Sequence, residues 1–144
     1  QLYKISQNPD QYYSDQINMA TMMHRTEMSR LMSEVSDAKN TLDKMTVIIN
    51  SAKNQGIRIP QELLNGYERG KKIYNHRNYL KSKDTKGAHN YNQLIDLFHD
   101  DPKREFSPQA INYIRQYEND LINWNKNEGK KLYEKYKNFL RDNQ

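Results

Sequence analysis

Between Asn8 and Asn54 the apolar and small residues recur at alternating intervals of three and four: Ile17, Thr21, His24, Met28, Leu31, Val35, Ala38, Leu42, Met45, Ile49 and Ala52. That spacing holds its register for about five heptads and places the whole set along one side of an α-helix. In a strand, side chains alternate every two residues and the same set would scatter over both faces. The pattern therefore predicts a helix over about 9–54. Asn8 stands at the cap, Pro9 in the first turn and Gln11 in place to reach back to the cap. Asn54-Gln55-Gly56 supplies the stop. At about 1.5 Å per residue such a rod is roughly 70 Å long, too long for the core helix of a compact globule. Its seam must be covered by later helices or by another chain.

Ile57-Arg58-Ile59-Pro60 reads as a short connector. A second helix follows over about 60–81, with Leu63, Leu64, Tyr67, Ile73, Tyr74 and Leu80 along it. Short connections favour antiparallel neighbours, so this helix is expected to fold back over Val35 to Ala52. Gly66 and Gly70, four apart, mark either a close helix crossing or a weak stretch of helix. A loop and candidate hinge is expected over about 82–90, then a short helix over about 91–100 that ends before Pro102. Ser107-Pro108 opens a long C-terminal helix over about 108–141, carrying Ile111, Ile114, Tyr117, Leu121, Trp124, Leu132, Tyr136 and Phe139. Its seam loses register near Glu128-Gly129, as a stutter would make it do. This helix is expected to lie along the N-terminal half of the first and to cover its methionines.

These elements make one all-α domain: an elongated antiparallel helical bundle, or coiled-coil-like hairpin, with two long helices and shorter connecting helices. Composition agrees, because 35% hydrophobic residues over 144 positions suit thin helix-on-helix packing better than a buried parallel sheet. The absence of Cys excludes disulfides, thiolate metal sites and a cysteine nucleophile. No apolar run is long enough for a membrane span. A chain that begins with Gln, without a visible leader, fits a soluble protein either in the cytoplasm or, after processing, outside it.

Charge divides the chain in three. Both long helices are nearly neutral, whereas Arg58 to Lys86 carries eight basic residues against three acidic ones, interleaved with Tyr67, Tyr74, His76 and Tyr79. Arg69, Lys71, Lys72, Tyr74, Arg77, Tyr79 and Lys81 are thus candidates for contacting phosphates and stacking on unpaired bases. The same residues would equally serve as a solvated helix face over a tyrosine stripe. All six methionines fall between Met19 and Met45, and Met19, Met22 and Met23 lie off the main seam. With Met28 and Met32 they are the candidate protein-docking surface, Met being flexible and tolerant of varied partners. A wider core face covered by the last helix is the competing account. His24, at a core position, fixes register or acts as a protonation switch.

Catalytic patterns are missing: HExxH, GxxxxGK[ST] and GxSxG do not occur. His99-Asp100-Asp101 could bind a divalent ion, although such a trio more often ends a helix. The expected function is therefore a non-catalytic helical interaction or assembly protein, without cofactor or small-molecule substrate. It would present its surface to a protein partner or to itself, as a small subunit of a bacterial or phage assembly does. A sequence-tolerant nucleic-acid accessory protein is the first alternative, and an extracytoplasmic part of a secretion or conjugation apparatus the second.

Overall fold

The computed structural model describes the backbone of residues 9–143 and the side chains of residues 27–143. The chain is all-helical over that span. α1 covers Pro9–Asn54, α2 Gln61–Ser82, α3 Lys86–Asp100, α4 Pro108–Trp124 and α5 Lys130–Asp142. A π-helical turn, Asn125–Gly129, joins α4 to α5, so the two run on as a single C-terminal rod. Four helical rods pack together.

α1 ends in a Schellman motif. Gly56 turns left-handed at φ 68°, Ile57 N–H reaches back to the Ala52 carbonyl at 2.8 Å, and Gly56 N–H to that of Lys53 at 3.2 Å. The chain then reverses through Ile59, which is buried. α2 returns along α1, and the Thr46 and Tyr67 hydroxyls meet at 2.7 Å. The loop expected over 82–90 shrinks to residues 83–85. Thr85 is an N-cap whose hydroxyl accepts from Ala88 N–H at 3.1 Å, so α3 starts at Lys86 rather than near Tyr91. Capping decides this because one side-chain oxygen satisfies an otherwise orphaned amide of the first turn. Ser107 caps α4 in the same way, accepting from Ala110 N–H at 3.1 Å.

The C-terminal rod lies against α1 from Met28 onward. Ile111, Ile114 and Ile122 share a core cluster with Met28, Leu31 and Val35, capped by Phe106 and Tyr91. Leu121, Trp124, Leu132 and Tyr136 share the other with Ala38, Leu42, Met45, Ile48 and Ala52, together with Ile59 and Leu63 from the returning chain. The rod thus runs in the same direction as α1, with α2 antiparallel to both; it covers Met28 and Leu31 and packs against Met32, while the side chains of residues 9–26, over which cover was also expected, lie outside the described residues. Within the α1 seam Ile48 takes the buried position assigned to Ile49, which is half-buried. The cap at Asn8 lies outside the described residues, as do the side chains of Ile17, Thr21 and His24.

Gly66 and Gly70 do mark a close crossing. A Cβ on Gly66 would stand 2.7 Å from a Leu132 methyl, and one on Gly70 would overlap the Trp124 ring. The register break near Gly129 is also present, but it is absorbed within one π turn instead of being spread as an unwound stretch.

Candidate functional site

Among the described residues, the two most deeply buried polar side chains, Glu118 and Asn125, both lie on the C-terminal rod. The core stripe of α4 and the π turn after it runs Ile111, Ile114, Glu118, Leu121, Asn125, so a glutamate and an asparagine occupy interior positions one heptad apart. Buried polar residues at such positions fix register, because any other alignment leaves them unpaired.

Glu118 is fully buried. Its Oε2 accepts from Arg77 Nε and its Oε1 from the Tyr91 hydroxyl, so one carboxylate binds α2 and α3 to α4. Arg77 also donates to Asn78 Oδ1 at 2.9 Å and lies 5.5 Å from the Tyr74 ring centroid. Tyr91 packs on Tyr117 with centroids 4.6 Å apart, and Lys81 Nζ sits 4.9 Å from the Tyr91 centroid. Burial would lower the Arg77 pKa, but the hydrogen bond and charge of Glu118 more than offset it and the net shift is upward. Burial, then the Glu118 charge, pushes the Tyr91 phenol far up. Lys81 moves the other way: burial, then Arg77, lowers it.

Asn125 belongs to the π turn and faces α1, where its Nδ2 donates to Asp37 at 3.1 Å. Lys126 with Glu34 at 3.0 Å and Lys130 with Asp37 at 3.2 Å tie the turn to the same helix, and Arg69 with Glu128 ties it to α2. On the α2 side an open groove of about 510 Å³ lies beside the turn, lined among others by Lys72, Asp120, Asn123, Trp124 and Asn127. The buried Trp124 Nε1–H has no acceptor among the described residues.

The candidate residues fare differently. Met28 is 1% exposed and is a core residue, not a presented one; Met32 is half-buried against the same cluster. The side chains of Met19, Met22 and Met23 lie outside the described residues. The basic segment does not form one surface. Arg77 faces inward onto Glu118, so it is unavailable to a phosphate, and Arg69 is held by Glu128. Lys71 lies over Tyr74 at 5.3 Å, and Tyr74 packs partly buried against the core. Lys81 is half-buried. Among the described tyrosines only Tyr79 stands out as a large exposed ring, at 56%, with Lys83 Nζ 4.7 Å from its centroid and His76 beside it. His99 packs on Phe98, and Asp101 accepts from Lys103 N–H at 3.1 Å. Among the described residues no cluster of three His, Asp or Glu side chains is placed to hold a metal ion, and no helix is long and apolar enough to cross a membrane.

Sequence reasoning missed Glu118 and Asn125. The signal was present in the spacing 111, 114, 118, 121, 125, which puts both on the buried stripe; following Tyr117 instead of Glu118 concealed it.

Tyr91 and the buried Tyr136, whose hydroxyl donates to the Leu63 carbonyl at 2.7 Å, predict a sharp alkaline limit. Burial raises both phenols well above the ordinary value of about 10. Their stabilising contribution is complete below about pH 10 and is lost as pH climbs from there toward the folded-state values. Lys81, being lowered, contributes with the opposite sign. The urea midpoint should hold level to about pH 9 and then fall, and Tyr91→Phe with Tyr136→Phe should flatten that fall. A parent midpoint unchanged to about pH 11 would contradict this.

Compared with known protein families, curated proteins and solved structures, the chain matches none.

Proposed function

We propose that this chain is a non-catalytic helical interaction module, in which an elongated coiled-coil-like bundle anchors α1 and offers its N-terminal half to a protein partner or to a second copy. The observation that supports it most is one of length. α1 is helical from Pro9, while the C-terminal rod begins at Pro108 and meets α1 where Ile111 joins Met28. The 18 residues from 9 to 26, roughly 27 Å of helix, precede that meeting point. Their sequence continues the seam through Ile17, Thr21 and His24 and adds Met19, Met22 and Met23 on another side. Methionine is suited to such a surface, since an unbranched thioether repacks against varied shapes.

Light scattering coupled to size exclusion, over a range of protein concentrations, tests the reading. The parent should form a concentration-dependent assembly, and Met22→Glu with Met23→Glu should abolish it while far-ultraviolet circular dichroism stays helical. Assembly unaffected by both charges would remove this face from consideration. A parent monomeric throughout would limit the module to a different protein as partner.

The exposed Tyr79 with Lys83 and His76 favours one second reading, a sequence-tolerant contact with single-stranded nucleic acid. It requires binding of a short oligonucleotide that weakens steeply with salt, and no salt-sensitive shift would dispose of it.

A further inference from the structure

The buried seam of α1 repeats every seven residues, and the face opposite it keeps the same repeat. On that outer face Ser29, Ser33, Ser36, Asn40, Val47 and Asn50 follow one another, all exposed, and Asp43 is the one charge in the stripe. Helix faces left to solvent usually carry charged side chains, whereas this one is almost neutral along about 30 Å. Val47 is 68% exposed. A lone exposed valine is ordinary, and it is the bordering charges that point to what covers it.

Lys39 and Asp43 border one flank of the stripe, Asp37 and Lys44 the other. In each pair the midpoint falls within one residue of Asn40, and the midpoint of Ser33 and Val47 falls on it. A second α1 laid antiparallel, with Asn40 on a two-fold axis, therefore sets Lys39 of each copy opposite Asp43 of the other, Asp37 opposite Lys44, and Val47 opposite Ser33. Parallel, in-register pairing would set every one of these charges against its own kind. Among the described residues neither Lys39 nor Asp43 forms an ion pair. Lys44 rests over the Tyr133 ring at 5.5 Å, and Asp37, although it meets Lys130, keeps 51% of its side chain exposed. Charges at the rim of a contact decide orientation more than affinity. The stripe continues by heptads through Thr26 to Met19 and Met22, which in this register run past the end of the other copy's α1.

We propose that the outer face of α1 is a self-association surface on which a second copy of this chain docks antiparallel, centred on Asn40; this rests on the interaction-module reading and narrows its partner to the chain itself. The sequence has no cysteine, so an introduced thiol is the only one. Asn40→Cys and Asn50→Cys alter equally exposed positions. In a glutathione redox buffer Asn40→Cys should collect as a disulfide-linked dimer, because the axis brings its two thiols together. Asn50→Cys should stay unlinked on a non-reducing gel, its thiols being about 30 Å apart. Light scattering on the cysteine-free chain should show Lys39→Glu weakening the dimer several-fold and Lys39→Glu with Asp43→Lys restoring it. Equal linking of both cysteine variants, or a charge exchange that restores nothing, overturns the antiparallel register. Absence of linking in Asn40→Cys overturns the surface itself: association that still depends on Met22 and Met23 would then leave the module reading standing without this face, and a chain that never associates would leave it only a different protein as partner.

Discussion

Replacing Glu118 with Ala should lower the free energy of unfolding by about 3–5 kcal/mol, the usual cost of leaving a buried charge without its partner. The Arg77 side chain is 10% exposed and Glu118 is not exposed at all, so water cannot take over the lost hydrogen bonds. Tyr91 loses its acceptor in the same step. Against a typical total of about 5–15 kcal/mol, this one substitution removes roughly a fifth or more of the fold's stability. The informative companion is the apolar set Arg77→Met, Glu118→Leu and Tyr91→Phe. It removes every polar member together and should recover most of the loss, because no charge is stranded. Urea unfolding followed by circular dichroism measures both. A Glu118→Ala loss under about 1 kcal/mol would mean that the pair is far wetter than described.

Gly70→Ala should be the second large effect, and its sign is the test. In an open helix the change would stabilise by about 0.5–1 kcal/mol, since alanine loses less freedom on folding. At Gly70 the added methyl meets the six-membered ring of Trp124, itself wedged against Gly129. Overpacking of this kind costs about 1–3 kcal/mol. Trp124→Leu would be harmful alone, by the loss of a buried ring, but should relieve the crowding when combined with Gly70→Ala. The double variant should then lose less than the sum of the singles, as neighbours that share one space do. Strict additivity would mean that Gly70 and Trp124 do not crowd each other.

Periodicity made much of the helical structure legible in advance. Met28 to Ala52 were readable as a buried stripe because a 3/4 repeat has only one geometric solution, and Gly66 with Gly70 could be suspected of a close crossing from their spacing. The direction of the C-terminal rod was not readable. Any long helix with an apolar stripe can cover either half of α1, and the choice depends on pairings such as Asn125 with Asp37 and Lys126 with Glu34, which join residues about ninety positions apart. The start of α3 was missed because Gly87 and Ser82 look like loop residues until the Thr85 cap is weighed against them. The basic segment misled for a different reason. Counting charges cannot tell a cation that faces water, as Lys72 does, from one that faces a carboxylate inside, as Arg77 does.

The π turn leaves the C-terminal rod with one residue more than an uninterrupted α-helix of the same reach would contain. Elsewhere in α4 or α5, loss of a single codon would rotate everything beyond it by about 100° and swing Leu132 and Tyr136 away from their partners. Within 125–129 the same loss closes the turn to ordinary α-helical pitch and leaves both flanks facing as before. Asn127, which is exposed, is the residue most easily given up, whereas Asn125 is held by Asp37. The gene thus carries a dispensable position in the middle of the C-terminal rod, where an inserted residue is kept without shifting the frame of contacts on either side.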